Sequence, residues 1–494
     1  MYEKELFPDL EYTFKHALTH EVTYGSLLQA RRRALHARVA EAIEAVHVDR
    51  FAEHIERLAS HCFHGERWAK AAAYFREAGR KAVARSAYEE AASSFEQAFA
   101  ALGRLEQTRE VIAQAVDVLV ELRGALFPLA DVERMQTAMS RSEALVVHLD
   151  DRFRLAVVHS FASNHLFWKA EFSHAVESAS RVLAIADERE DPELHLRASF
   201  NLGVSHTNLG AYDVAAGFFL RSIAALKEPL FYTTGSAGSM SVLVRSLLGI
   251  ALAELGRFEE GWSLGEEGLR MAEAVDRPVD VILSAWGPGM LALRRGEYMP
   301  AIAPLERSLS LCRMGRFPRY LAWTAGLLGY LRLLHGQPAD GAALLEVAVE
   351  GAESRRLLLG HSLFSMWLAE ARLASGDSTG ALSIANRALD LTRQREERGY
   401  EAWALHVLGR IASAGGAGDL EAAEARFGDS LTRATELGMR PLVARCRLEL
   451  GEIHRCARRL GPARDQLTTA VDMFREMGMR FWLEKAETEM RSLA

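Results

Sequence analysis

FNLGVSHTNLGAYDVAAGFFL, residues 200–220, reads as the end of one helix, a tight turn and the start of a second helix folded back on the first. Leu202 and Gly203 close the first helix face, Gly210 marks the turn, and Ala215 and Phe219 open the second helix. The same phase recurs along the chain. Small residues stand at Gly203, Gly249, Gly289, Gly329, Ala369, Gly409 and Gly451, and from 289 through 329 and 369 to 409 each step is forty residues. Gly210, Gly256, Gly296, Gly336 and Gly376 follow seven residues after their markers, and Ala215, Gly261, Ala301, Gly341 and Ala381 twelve after. A fixed period in this range is the signature of stacked helix pairs, in which each unit buries its apolar face on its neighbours.

The markers must be small for a geometric reason. Helices pack with axes about 8–10 Å apart, and the close end of that range requires a side chain to be nearly absent from the contact. A helix glycine costs roughly 1 kcal/mol relative to alanine, so glycine at one phase of successive helices implies close backbone approach. Carried backward, the frame finds Ser163 with Ala175, a degenerate unit with Arg123 at the marker, and a tight unit with Gly79, Ala91 and Phe95. About ten units fit between residues 66 and 478. Six extra residues between markers 203 and 249 are assigned to the stretch 231–240, FYTTGSAGSM, as an exposed loop.

Composition agrees with long amphipathic helices: 494 residues, 49% hydrophobic, with only 12 prolines. Lys+Arg of 59 against Asp+Glu of 66 leaves a net charge of -7, which argues against nucleic-acid backbone binding. Cys62, Cys312, Cys446 and Cys456 show no CxxC and no disulfide spacing. No apolar run approaches the ~20 residues of a membrane span, and the first residues lack the order of a signal peptide. The expectation is a cytoplasmic protein without membrane contact.

The large residue, Leu-Gly, turn and Ala-x-x-x-Phe order resembles tetratricopeptide repeats, lengthened from the usual value of about 34 residues. Residues 7–44, FPDLEYTFKHALTHEVTYGSLLQARRRALHARVAEAIE, resemble the end of the winged-helix part of STAND-type AAA ATPases. The stretches ELGMRPLVARCRLELGEIH and MFREMGMRFWLEKAE are similar to the C-terminal repeats of bacterial multidomain proteins that join a class III adenylate or guanylate cyclase domain, an AAA ATPase and a repeat array. The resemblance implies an all-α, right-handed superhelical solenoid. Residues 1–50 would be a winged-helix remnant, 51–478 the tetratricopeptide-like superhelix and 479–494 a capping helix. It also implies the sensor end of a signalling machine, as a fragment or a stand-alone relative. Its own upstream ATPase and cyclase domains are then candidate partners. His16 stands where such ATPases place a histidine that senses the nucleotide state, the alternative being a histidine satisfied by local helix contacts.

No G-x-x-x-x-G-K-[ST] loop is present, so intrinsic nucleotide hydrolysis is not expected. His16 and His20 share a helix face but lack a third ligand, and His54, His61, Cys62 and His64 read as part of an ordinary helix pair. No catalytic residues, cofactor or metal are assigned.

The remaining candidates lie on the concave face. In the repeat frame Trp168, Trp286, Trp323, Trp367 and Trp403 all fall at groove-lining positions of the first helix, joined by Met290, Tyr330 and Met366. Such a row marks a surface for a peptide or protein partner, or packing between neighbouring units or against the chain's own remote domains, and the sequence leaves both open. Asn164 and Asn201 match the asparagines of a carboxylate clamp, but Ser160, Leu243 and Leu247 stand where its basic residues belong. The leading functional expectation is a non-catalytic protein-interaction and signal-sensing module that holds a peptide or protein in its groove. The rival is a superhelix that senses a small inducer. A cavity with convergent polar groups would favour the second, an open apolar trough the first.

Overall fold

Seven residues after each marker but Gly409, for which that position lies outside the described residues, the backbone turns left-handed. Gly210, Gly256, Gly296, Gly336 and Gly376 have φ between +74° and +90°, and the same phase is occupied without glycine at Ser86, Ala130, Ala170 and Arg458, with φ of +56° to +60°. A side chain in this region costs roughly 1–2 kcal/mol, so its retention at four non-glycine turns shows that packing of the flanking helices dictates the bend. The degenerate unit around Arg123 therefore keeps the turn although its marker is not small.

The structure is a computed structural model that describes residues 2–5, 11–13, 22, 24–46, 53–226, 238–315, 317–415 and 420–493. Most of the loop expected at 231–240 lies outside them. Among the described residues there are 24 helices, and the fold is all-α apart from two short antiparallel strands, Tyr2–Glu5 and Glu11–Thr13. No helix among the described residues is long and apolar enough to cross a membrane.

Two compact units are distinguished. The first comprises Met1–Leu122 with Ala144–Leu149. In it the helices Trp68–Ala84 and Tyr88–Leu102 form a hairpin in which the Phe95 ring occupies the space a Cβ on Gly79 would need, 2.6 Å away. Glu121 receives hydrogen bonds from both Arg76 and Arg80. His61 and His64 gather about His36, with His36 Nδ1 2.8 Å from His61 Nδ1 and its ring 5.0 Å from that of His64.

The second unit comprises Arg123–Glu143 and Asp150–Ala494 and forms a tetratricopeptide-like superhelical solenoid. Its hairpins pair Pro192–Asn208 with Tyr212–Ala225, Pro318–Leu334 with Pro338–Arg355, and Arg440–Cys456 with Leu460–Glu476, with equivalent pairs between. The markers sit where expected. A Cβ at Gly203 would lie 2.6 Å from Phe219, at Gly409 2.7 Å from Phe427, and at Gly451 2.6 Å from Leu467. Ser163 makes the same approach with a hydroxyl, donating to the Ala175 carbonyl at 2.8 Å. One first helix is not continuous: Pro278–Ser284 and Trp286–Arg295 are separated at Ala285. Pro288 accounts for the break, because it lacks an N–H and its ring clashes with the carbonyl four residues back.

The inner faces of this unit do not stay apart. Leu358 N–H donates to the Trp168 carbonyl at 2.7 Å, and Trp403 Nε1–H donates to Glu254 Oε2 at 3.0 Å across 149 residues. Arg295 reaches the Gly478 carbonyl at 3.4 Å across 183 residues. Gly399 lies so close to Tyr212 that a Cβ there would fall 2.0 Å from the phenol oxygen. Early and late repeats are thus sealed together along a seam, which nearest-neighbour stacking alone does not require.

The seam carries a buried acid. Glu397, at the start of helix Arg398–Ala414, is fully buried and makes no capping hydrogen bond. Burial pushes its pKa up to about 7, with Ser362 and Arg395 opposing. The folded chain therefore holds this proton across a range in which the unfolded chain, with an ordinary value near 4.5, has released it. Stability should fall as pH rises from about 5 to 8, by roughly 3 kcal/mol. Glu397→Gln should remove this slope. Urea unfolding of both proteins at pH 5 and pH 8 checks it, and parallel pH profiles would show that Glu397 is ionised in the fold.

Candidate ligand-binding site

The eight residues expected to line the groove are all buried. Trp168, Trp286, Trp323, Trp367 and Trp403 are between 3% and 7% exposed, and Met290, Tyr330 and Met366 are 3% or less. Of the two arrangements that the sequence leaves open, the structure has the packed one over most of the row. Trp286 and Trp323 stack at 5.7 Å, Trp323 meets Phe364 edge-on at 5.5 Å, and Tyr330 and Trp367 stack at 4.8 Å. Trp286 Nε1–H donates to Thr324 Oγ1 at 3.1 Å. Tyr330 and Arg410 both hydrogen-bond Glu370. Trp403 lies under the Arg294 guanidinium at 3.9 Å.

The row opens at its N-terminal end. A cavity of about 110 Å³ is walled by Phe161, Phe167, Trp168, Phe200, Trp286 and Tyr320 and floored by Leu243 and Leu247. Its polar groups converge from three successive first helices: Arg123 from Arg109–Leu129, Ser160 and Asn164 from Arg152–Trp168, and Arg197 and Asn201 from Pro192–Asn208. Asn164 Oδ1 accepts from Arg123, and Asn201 Nδ2 donates to the Ser160 carbonyl at 2.8 Å. Arg197 pairs with Glu193 at 2.7 Å. A second cavity, of about 440 Å³, adjoins through the shared residues Arg123, Phe127, Asn164 and Trp168, and adds Arg319. Both lie wholly within the second unit.

The two asparagines of the clamp pattern are therefore in the cavity, and Leu243 and Leu247 line it as apolar floor. Its cations come from elsewhere. Arg197 and Arg319 carry no signal in the repeat frame, but Arg123 does: it occupies a marker position at which other units have glycine, serine or alanine. A long side chain at a small-residue position forces the neighbouring helices to leave room, and a cavity is the result.

Of the other expectations, His16 and His20 lie outside the described residues. Among the described residues no group of three or more His, Cys, Asp or Glu side chains is placed to hold a metal ion. Cys62, Cys312 and Cys446 are buried thiols and Cys456 is exposed, all unpaired as disulfides.

No family model and no curated protein matches the chain. Solved structures do. A Rap protein complexed with competence and sporulation factor superposes with a TM-score of 0.55 at 13% identity, over 74% of this chain and 98% of that one. A STAND protein with a tetratricopeptide repeat sensor from Pyrococcus horikoshii gives 0.42 at 14% identity, over 79% of this chain and 56% of that one. The apo form of the quorum sensor NprR from B. thuringiensis gives 0.46 at 12% identity, over 73% of this chain and 99% of that one. The Rap protein shares the tetratricopeptide-like solenoid fold, and at such identity the likeness extends to the fold alone.

Proposed function

We propose that this chain is a non-catalytic sensing module whose ligand occupies the concave-face cavity at the N-terminal end of the aromatic row. The observation that carries this reading is the convergence of Arg123, Asn164, Arg197 and Asn201 on a space walled by aromatic rings. Apolar walls with a few aimed polar groups are the general form of a ligand pocket. The ligand is compact, a small molecule or the end of a peptide. A long peptide running the whole groove is disfavoured, because Trp323, Trp367 and Trp403 are packed against their neighbours. A Rap protein of the same fold was solved with competence and sporulation factor bound, which is consistent with a held ligand here.

Occupancy is read out through the seam. The cavity wall Trp168 is bonded through its carbonyl to Leu358, so a ligand that moves Trp168 shifts contacts between early and late repeats. The resemblance to cyclase and ATPase proteins makes an attached or separate ATPase domain the receiver, with His16 reporting its nucleotide state, in a cytoplasmic setting.

The test is a thermal-shift screen of short peptides and metabolites, repeated on Leu247→Trp, which fills the cavity from its floor. A ligand at 100 times its Kd should stabilise the chain by about 2.7 kcal/mol, and Leu247→Trp should abolish that gain while remaining folded. Undiminished stabilisation of Leu247→Trp would put the ligand elsewhere.

A further inference from the structure

Buried cations normally have carboxylates beside them, since a charge taken out of water without a partner is costly. The second unit mostly obeys this: Arg294 has Glu254, Arg410 has Glu370 and Arg197 has Glu193. Arg123 and Arg319 do not. Both are at most 5% exposed, and neither forms an ion pair among the described residues. Arg123 spends one nitrogen on the Asn164 carbonyl oxygen, while its Nε–H is buried without a partner among the described residues. Among the described residues Arg319 donates to the Phe127 carbonyl and, at 3.5 Å, to the Met135 sulfur. Both guanidiniums lie on the Phe127 ring, at 4.5 Å and 3.9 Å, so they face one space. An unpaired donor lies beside them: Trp168 Nε1–H is buried with no acceptor among the described residues, and the Arg319 guanidinium is 4.8 Å from that ring.

Two unpaired donors, Arg123 Nε and Trp168 Nε1, and two buried cations without a described carboxylate partner, Arg123 and Arg319, lie at the junction of two cavities and describe a missing acceptor with negative charge. Resting on the reading of this cavity as the ligand site, we infer that the ligand carries a carboxylate, bound by Arg123, Arg319 and Trp168 Nε1, with an apolar body in the aromatic cavity beyond. Guanidinium groups present a planar fork suited to carboxylate oxygens. The walls of Phe161, Phe200 and Trp286 supply the apolar surface. These cations come from positions that the carboxylate-clamp pattern does not use. The field of the site agrees: Arg319 is held down to about 9 by burial, and Arg123 is held well below its ordinary value by burial and by Arg319 and Arg197. His165, in the adjoining cavity, is lowered by burial and by Lys169, Arg123 and Arg319. Among the described residues Glu143 is the one carboxylate lining either cavity, and no described ion pair joins it to these arginines.

The experiment uses the full chain with 3-phenylpropionate, its neutral amide 3-phenylpropionamide, inorganic phosphate, and one apolar pentapeptide made with a free C-terminal carboxylate and as the C-terminal amide. Binding is followed by calorimetry and by thermal shift. 3-Phenylpropionate should bind at least about tenfold more tightly than the amide. Arg123→Met and Arg319→Met should each lose that preference and, freed of an unpaired buried cation, melt no lower than the parent. Preference for the peptide acid over its amide, at greater affinity than 3-phenylpropionate, assigns the carboxylate to a peptide end; preference only among the small acids assigns it to a free metabolite. Equal binding of acid and amide would keep the cavity as the ligand site and overturn its charge preference. Tighter binding of phosphate, or a preference that survives Arg123→Met with Arg319→Met, would also overturn the carboxylate. Failure of every probe to bind the folded chain would remove both readings.

Discussion

Glu254→Ala is expected to destabilise the chain by about 3–5 kcal/mol, the cost of leaving one member of a buried ion pair without the other. Glu254 and Arg294 are 1% and 3% exposed. Arg294 reaches Glu254 Oε1 through Nε at 2.8 Å and through Nη2 at 2.7 Å, and the other oxygen accepts from Trp403. The double variant Glu254→Leu, Arg294→Met should recover most of the loss, since an apolar replacement of both charges is often neutral. It should fall short by about 1–3 kcal/mol for the Trp403 Nε1–H left without an acceptor. The location of the damage is as informative as its size. In an open solenoid a lesion spreads to adjoining units, whereas here the carboxylate also holds a repeat 149 residues away. Hydrogen exchange should therefore accelerate in both Met240–Leu255 and Arg398–Ala414. Acceleration confined to residues 240–295 would show that the seam is a contact without energetic coupling.

Gly287→Val should cost about 3 kcal/mol or more, at or above the upper end of ordinary overpacking. A Cβ there would lie 2.4 Å from the Ser246 carbonyl oxygen, 2.9 Å from its Cα and 3.0 Å from its carbonyl carbon. Those atoms are backbone and cannot swing aside. They are also pinned, because Ser246 Oγ donates to the Leu283 carbonyl at 2.6 Å and accepts from Gly287 N–H at 2.9 Å. Gly217, inside helix Tyr212–Ala225, has open space where its Cβ would be. Gly217→Ala should therefore stabilise by about 0.5–1 kcal/mol through helix propensity alone. Equal effects from the two substitutions, measured by urea unfolding, would mean that close helix approach is not what selects glycine in this chain.

The period, the turns and the identity of the packing faces are legible in the residues because each is a local matter. A left-handed turn seven residues past a small marker, and a ring at Phe219 or Phe427 over Gly203 or Gly409, involve residues within one hairpin, so composition and spacing encode them. The helical phase that the tryptophans share is local in the same way. Their burial is not. Whether Trp403 meets water or Glu254 depends on how much the stack curves over many units, and small rotations at each interface sum to decide whether early and late repeats touch. No residue pair near in sequence carries that sum. The carboxylate site falls in the same class: Arg123 announces itself as the wrong residue at a marker, but Arg319 joins it only because the stack brings helix Pro318–Leu334 back to Phe127. The sequence by itself determined the hairpins and their order. Closure of the superhelix alone decided which inner side chains pack and which are left facing a cavity, because that depends on curvature accumulated over the whole array.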